Sequence, residues 1–245
     1  MRGVAAAISF LTRLPVARWV TLDAGDVARG IVFFPLVGAA VGAGTGLVAL
    51  GTGEVLPALL AAVVAIAFEA VLTGAIHLDA LGDLADATGG GTRERALEIL
   101  RDPRIGAFGA VALVVDVLLR AGALAALVAE DGLVGLVVAS FALGRAAPLA
   151  IGWALPYARP GAGSGRALTD EPRTWERVAG LVIAGAIAFG LVGLDGGALV
   201  GGAALGAVLV GLVAWRRLGG ATGDVLGAGI EAGTAGALLA AVATS

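Results

Sequence analysis

Residues 55–76 read VLPALLAAVVAIAFEAVLTGAI, and residues 77–86 continue as HLDALGDLAD. The first stretch contains one charged side chain, Glu69, and a helix of about 20 mostly apolar residues is long enough to cross a bilayer. The second stretch carries three aspartates and the only histidine of the chain. The sequence therefore predicts a membrane-spanning helix that leads directly into a polar, acidic segment.

The composition of the whole chain agrees with a membrane protein. Hydrophobic residues make up 59% of the sequence and charged residues 14%, whereas soluble domains average about 25% charged residues. The 41 glycines are typical of membrane helices, whose backbones approach closely at small residues. Cysteine is absent, which excludes disulfides and thiolate metal sites. The net charge of −3 argues against a nucleic-acid partner.

Apolar runs of membrane-spanning length recur along the chain, and no linker divides them. We therefore predict an all-α fold, a polytopic integral membrane helical bundle that forms a single domain over residues 1–245. Its first element is a short N-terminal interfacial helix, because an apolar segment is followed there by Arg13 and Arg18. About seven transmembrane helices follow, at residues 31–50, 55–76, 105–129, 133–155, 178–194, 198–215 and 225–243.

Arginines are concentrated in alternate loops of this arrangement. They precede the first span and lie between spans two and three, four and five, and six and seven, while the intervening loops hold none. Cytoplasmic loops of membrane proteins carry an excess of basic residues. We therefore expect a multi-pass protein of the plasma membrane, with the N-terminus and every long loop in the cytoplasm.

Asp79, Asp83 and Asp86 follow i, i+4, i+7 spacing, so one face of a helix carries all three carboxylates. Residues 78–88 contain no arginine to balance them. A hard divalent cation with oxygen ligands would offset their repulsion, which predicts that the three aspartates bind Mg²⁺ as the cofactor. The alternative is a polar helix end that is only solvated at the interface.

His77 precedes this acidic face by two residues. An imidazole titrates near neutral pH, which makes His77 a candidate general base beside the candidate catalytic carboxylates Asp83 and Asp86. The alternative is a structural role, which is the more frequent one for a single histidine at a helix end.

A second candidate site is the turn at residues 101–106, RDPRIG. Arg101 and Arg104, on either side of Asp102, can each grip phosphate oxygens with two hydrogen bonds, and a helix N-terminus adds backbone donors. Gly106 would let a ligand approach the backbone. The alternative is that these arginines only anchor the loop on the cytoplasmic side.

A third candidate site lies at residues 219–231, where GGATGDVLGAGIE enters the last span. Asp224 and Glu231 are seven residues apart and share a helix face, and Thr222 precedes them. An acid inside a span is costly unless it faces a polar cavity or a partner, so Glu231 is predicted to face the site. The alternative is that the glycines form a turn that caps the preceding helix and that the acidic residue has no functional role.

Four more ionisable residues fall inside the predicted spans. Asp116 and Arg120 are four residues apart and are predicted to pair within one helix. Glu69 lies two turns before His77 on a similar face and is predicted to line the same cavity. The fourth is Arg145.

These constellations, in this order, resemble the cobalamin synthase family over nearly the whole chain. The resemblance rests on residues 8–15 (ISFLTRLP), 29–31 (RGI), 34–38 (FPLVG), 74–79 (GAIHLD), 101–102 (RD), 157–159 (YAR) and 220–224 (GATGD). Ala80 and Ala87 stand where this family usually has glycine. Alanine keeps the site small, so we expect activity to be retained.

The resemblance implies an Mg²⁺-dependent membrane enzyme that joins adenosylcobinamide-GDP to α-ribazole or its 5′-phosphate and releases GMP. The implied partners are these substrates and the lipid bilayer, together with a second copy of the chain in a homo-oligomer or other cobalamin-assembly enzymes. The residues then expected to bind substrate are Arg13, Arg29, Arg101, Asp102, Arg104, Thr222, Asp224 and Glu231.

Two alternative functions fit the same composition. A CDP-alcohol phosphotransferase of phospholipid synthesis also uses aspartates at a membrane face, but its expected Asp-Gly-x-x-Ala-Arg run is absent here. A small-solute transporter would place its acids in the middle of the membrane on broken helices, whereas the dense cluster of this chain lies at a helix end.

Overall fold

A computed structural model describes residues 2–159 and 164–245 of the chain. Within these residues the predicted all-α fold is confirmed, since no β-strand forms and Tyr157 and Ala221 make only an isolated bridge. The α-helices of this part of the chain are α1 (Arg2–Leu11), α2 (Ala24–Gly30), α3 (Phe34–Gly53), α4 (Ala58–Thr73), α5 (Ile76–Ala87), α6 (Arg93–Ile99), α7 (Ala107–Leu127), α8 (Leu133–Ala154), α9 (Ser164–Thr169), α10 (Thr174–Val192), α11 (Gly196–Leu218) and α12 (Gly223–Thr244).

The helices have the lengths of a multi-pass membrane bundle. Five stretches of the described residues are long and apolar enough to cross a membrane, and the bent pair α4–α5 adds a sixth. The longest stretch, Thr174–Leu218, consists of α10 and α11, which turn back on each other at Gly193 and line one apolar pocket together. Counted singly, the helices α3, α4, α7, α8, α10, α11 and α12 correspond to the seven predicted spans.

α8 lies at the centre of the bundle, where it packs against α3, α10, α11 and α12. Small residues permit these contacts. A Cβ atom on Gly38 of α3 would lie 2.5 Å from the carbonyl oxygen of Phe141 in α8, and Gly202 of α11 approaches Gly236 of α12 as closely. The high glycine content therefore serves the packing of the helices.

A sharp bend separates the acidic helix from the span before it. The axes of α4 and α5 differ by 92°, and Gly74 and Ala75 make the bend with φ angles of +68° and +55°. The side chain of Arg13 passes so close to Gly74 that no Cβ atom would fit there. The predicted span 55–76 therefore ends early as a helix, and the acids lie on a separate helix of 12 residues.

Arginine-containing loops come together at one end of the bundle. Arg93 of α6 donates from Nε to the carbonyl of Leu218, at the end of α11, over 2.7 Å. The segment after α8 pairs with the loop before α12, where the N–H of Ala158 donates to the carbonyl of Ala221 at 2.8 Å. The end of α3 lies at the other side of the bundle, where Gly53 packs against the residue that follows α7. We call the first side the arginine-rich end.

Candidate functional site

α5 presents acids on one face and buries the other. Asp79 is exposed, and Asp83 and Asp86 are half-buried. The helix packs against the first turns of α7 and α12, which places its acids beside the arginine-rich end and outside the spans. The side chains of its buried face belong to His77, Ala80, Leu84 and Ala87.

Asp83 is surrounded by like charges from two distant parts of the chain. Burial, followed by the negative charges of Asp79, Asp224 and Asp86, raises the pKa of Asp83 to about 6. The positive charge of Arg159 acts in the opposite direction. Folding therefore brings Asp224, at the start of α12, to the acidic face of α5, and such a group of carboxylates attracts cations.

Arg159 supplies positive charge to this cluster, and the sequence did not assign it to the site. Its guanidinium donates to Oδ2 of Asp224 at 2.9 Å and to the carbonyl of Leu100 at 3.3 Å. The backbone pairing of Ala158 with Ala221 holds the neighbouring residue in place. The one signal that could have found Arg159 is its position in the YAR segment of the family resemblance.

Thr222 and Asp224 lie at the junction between α11 and α12, at the start of α12. Gly219 ends α11 with a φ of +70°, and the hydroxyl oxygen of Thr222 caps α12 by accepting the N–H of Val225 at 3.3 Å. The same hydroxyl donates to Oδ2 of Asp224 at 3.2 Å. Because Thr222 and Arg159 both donate to this oxygen, the carboxylate of Asp224 has a defined direction beside the acidic face.

Asp86 caps the N-terminus of α7. Its carboxylate accepts the N–H of Gly106 at 2.6 Å and the N–H of Gly109 at 2.8 Å. The expectation that Gly106 admits a ligand is therefore corrected, because the anion that approaches this backbone is Asp86 itself. A carboxylate is favourable there, since it satisfies otherwise unpaired N–H groups at the positive end of the helix dipole.

Replacing Asp86 with Ala is expected to lower the free energy of unfolding by about 1–2 kcal/mol, because two amides at the start of α7 lose their acceptor. Glu98→Ala is the matched control, since it removes a largely exposed carboxylate and should change stability little. Thermal unfolding of the purified protein in one detergent, followed by tryptophan fluorescence, measures both variants. An Asp86→Ala protein that unfolds at the wild-type temperature would contradict the cap.

Arg104 pairs within its own turn. It donates from Nε to Oδ1 of Asp102 at 2.9 Å and from a terminal nitrogen to Oδ2 at 2.6 Å, and this contact lowers the pKa of Asp102 to about 2. Asp102 and Arg104 line a cavity of about 460 Å³ together with Asp86. Arg101 is exposed and makes no ion pair with the described residues. Of the two arginines of this turn, Arg101 is therefore more available than Arg104 to bind a phosphate.

His77 lies on the buried face of α5. Both ring nitrogens are buried, and neither has a hydrogen-bond partner among the described residues. Burial, followed by the charge of Arg145, lowers the pKa of His77 to about 3. The structure does not bring the imidazole to the acidic face, so its assignment as general base stays a prediction without a supporting contact.

The two alanines that depart from the family pattern also lie on the buried face. Ala80 is 7% exposed and Ala87 is 1% exposed. Ala80 packs so closely on α12 that a Cβ atom on Gly227 would lie 2.6 Å from its methyl carbon. These alanines therefore affect how α5 packs against the bundle, and not how a substrate approaches the acids.

Three residues predicted to bind substrate are engaged elsewhere. Arg13 lies across the bend between α4 and α5. Arg29 donates to Asp26 within α2 at 2.8 Å. Glu231 accepts from Arg120 in the interior of the bundle. Within the described part of the chain, no hydrogen bond or ion pair connects any of these three with the acidic face of α5.

Arg120 is the centre of a buried ion-pair network between four helices. Its guanidinium binds Glu69 of α4 and Glu231 of α12, and Asp116 of the same helix lies 3.5 Å away. Arg145 of α8 binds the other carboxylate oxygen of Glu69 at 2.7 Å. The predicted Asp116–Arg120 pair is therefore present, although the shorter contacts of Arg120 join different helices. Glu69 is bonded to both arginines, and its place in a cavity with the histidine stays a prediction.

The acidic face offers only oxygen donors for a metal ion. In the described residues, no three Asp, Glu or His side chains are close enough to hold a metal by themselves. Asp86 is bonded to α7, whereas Asp79 and Asp83 accept no hydrogen bond from the residues that the structure covers. Mg²⁺ commonly binds through one or two carboxylates, with water and substrate phosphates in the other positions. The donor set therefore fits Mg²⁺ that is shared with a phosphorylated substrate.

Comparison with known proteins places the chain in one protein family. Residues 3–242 match the cobalamin-5-phosphate synthase family. A protein of Pseudomonas paraeruginosa named adenosylcobinamide-GDP ribazoletransferase is 39% identical over 244 residues, which cover 94% of each chain. A protein of the same name from Thiobacillus denitrificans is 38% identical over 98% of this chain and 95% of its own. Another from Syntrophobacter fumaroxidans is 38% identical over 91% of this chain and 90% of its own. No solved structure matches the chain.

Proposed function

Since the chain belongs to the cobalamin-5-phosphate synthase family, we propose that it is an adenosylcobinamide-GDP ribazoletransferase. It joins adenosylcobinamide-GDP to α-ribazole or α-ribazole 5′-phosphate and releases GMP, the step that assembles the nucleotide loop of cobalamin. The observation that carries the proposal is the meeting of Asp83, Asp224 and Arg159 at the arginine-rich end. Carboxylates for a cation and an arginine for phosphate are what a pyrophosphate substrate requires.

The proposal includes Mg²⁺ as the cofactor. Asp79 and Asp83 would hold the ion, and Asp86 would contribute only through lone pairs that its bonds to α7 leave available. What supports this is the donor set of oxygen atoms, together with the burial and the neighbouring negative charges that raise the pKa of Asp83. When bound, Mg²⁺ neutralises the charge that develops on the phosphoryl group and on the leaving oxygen.

The reaction exchanges one phosphorus–oxygen bond for another. The 3′-hydroxyl oxygen of the ribazole attacks the phosphorus attached to cobinamide, and the bond from that phosphorus to the GMP oxygen breaks. GMP leaves with the electron pair of the broken bond. We propose Asp83 as the carboxylate that accepts the hydroxyl proton, since it lies among the acids at the centre of the site.

Two arginines position the substrate phosphates. Arg159 would exchange its bond to Asp224 for a phosphate oxygen, and Arg101 would approach from the turn before α7. Thr222 and Asp224 border the site from the start of α12. The site is proposed to face the cytoplasm at the inner membrane, because the arginine-rich end carries the loops that the positive-inside rule assigns to that side. Association with a second copy or with other cobalamin-assembly enzymes stays a prediction.

The function is tested by GMP release from adenosylcobinamide-GDP in membranes that contain the protein. With α-ribazole and Mg²⁺ present, we expect GMP and a cobalamin product in equal amounts, and with a chelator added we expect neither. Membranes without the protein, and reactions without α-ribazole, are the controls. Failure to release GMP under complete conditions would contradict the proposed activity, whereas equal release in the chelator would contradict only the requirement for Mg²⁺.

A further inference from the structure

An apolar groove lies on the outer surface of the bundle between α8 and α11. Its volume is about 530 Å³, and its lining is almost entirely apolar. Ala150 and Ala154 of α8 and Leu155, directly after that helix, border it on one side. On the other side it is bordered by Ala204, Gly211 and Trp215 of α11. The groove is open because the residues at its floor are small. In a membrane-spanning bundle, such a surface faces the lipid.

The length of the groove corresponds to one leaflet of a bilayer. Ala204 and Trp215 are eleven residues apart on α11, which at 1.5 Å per residue is about 16 Å. Half of a hydrocarbon core of about 30 Å is about 15 Å. Trp215 is 57% exposed at the arginine-rich end of the groove, and tryptophans of membrane proteins lie at the level of the lipid headgroups. The groove therefore extends from this membrane surface to the middle of the bilayer.

Two positive charges stand at the headgroup end of the groove. Arg216 and Arg217 follow Trp215 directly, and both side chains are exposed. Neither makes an ion pair with any residue that the structure describes. Arginines at this depth attract anionic lipid headgroups. The apolar groove and the two arginines thus match the two parts of one amphiphilic molecule.

We propose that this groove binds an acyl chain of an anionic phospholipid from the leaflet at the arginine-rich end, with the lipid phosphate on Arg216 and Arg217. The lipid lies against the ends of α8 and α11, directly before the two segments that pair through Ala158 and Ala221. It therefore supports the backbone that carries Arg159 and Thr222. This site is separate from the acidic face of α5 and does not depend on the proposed reaction.

The proposal is tested with two glycines of α11. An added Cβ atom meets no other atom within 4 Å at Gly211, in the groove, or at Gly201, outside it. Gly211→Leu should therefore fill the groove without disturbing the fold, and Gly201→Leu is its matched control. The full-length protein is purified in detergent with equal amounts of phosphatidylglycerol and phosphatidylcholine, and native mass spectrometry counts the lipids retained.

We expect the wild type and Gly201→Leu to retain one phosphatidylglycerol per chain, about 25-fold in preference to phosphatidylcholine, since each of two arginines contributes about fivefold. Gly211→Leu should retain neither lipid. The Arg216→Gln/Arg217→Gln double variant should lose the preference and keep the chain-binding groove. Equal retention of both lipids by the wild type, or equal losses in the two glycine variants, would overturn the proposal. A lipid-free dimer that only Gly211→Leu disrupts would assign the groove to a second copy instead.

Discussion

Asp83→Asn is expected to reduce GMP release by about 10²–10⁴-fold while membrane insertion stays intact. The substitution keeps the size of the side chain and removes both the charge that would attract Mg²⁺ and the base that would accept the hydroxyl proton. Asp131→Asn, the same change at an exposed loop position before α8, is the matched control and should keep full activity. Near-normal product formation by Asp83→Asn would contradict the assignment of this residue.

The stability of the same variant provides an independent readout. The pKa of Asp83 is raised from 3.8 to about 6 in the folded protein, so its ionised form opposes folding. In the presence of a chelator, Asp83→Asn should unfold at a higher temperature than the wild type above about pH 6. The difference should shrink as the pH falls from 6 towards 4 and vanish below that, where Asp83 is protonated in both states. A variant that is less stable than the wild type at pH 8 would mean that its inactivity reflects damage to the fold.

Arg120→Ala is expected to destabilise the bundle by about 3–5 kcal/mol, the largest effect on stability that we predict. Removing the guanidinium leaves Glu231 and Asp116 without their ion-pair partner in the interior between four helices. Glu69 is left with Arg145 alone. Thermal unfolding in detergent and the yield of folded protein from membranes measure the effect. Arg95→Ala, which removes an arginine from an exposed pair, should behave as the wild type.

A second variant keeps this prediction testable if Arg120→Ala does not fold. In Arg120→Met/Asp116→Asn/Glu231→Gln both unpaired acids are removed with the arginine, and Glu69 keeps its bond to Arg145 at 2.7 Å. This triple variant should recover most of the lost stability, because its interior no longer holds an uncompensated charge. If the triple variant is as unstable as Arg120→Ala, then shape rather than charge explains the loss.

The membrane class, the helices and the acidic face were predictable because each depends on local features of the sequence. Apolar runs of spanning length predicted seven helices, and α3, α4, α7, α8, α10, α11 and α12 occupy those runs. The i, i+4, i+7 spacing of Asp79, Asp83 and Asp86 likewise depends only on helix geometry. The bend at Gly74 was not predicted, since hydropathy continues through it and only the backbone angles mark it.

The neighbours of each candidate site residue could not be predicted in this way. Asp86 was predicted to bind a metal, yet its carboxylate accepts two amides of α7. Glu231 was predicted to face the substrate, yet it binds Arg120. In both cases the residue was correctly recognised as needing a partner of opposite polarity. Which partner it finds depends on how distant helices pack, and a side chain satisfied inside the fold looks the same in the sequence as one that awaits a ligand.

The sequence by itself determined that this protein is a helical membrane bundle with an acidic helix and arginine-rich loops, because hydropathy and charge act along the chain. Only the tertiary structure decided that Asp83 lies near Asp224 and Arg159, and that His77 is buried away from them. The reason is that electrostatic interactions act through space. Segments before α12 and after α8 become neighbours only when their backbones pair at Ala158 and Ala221.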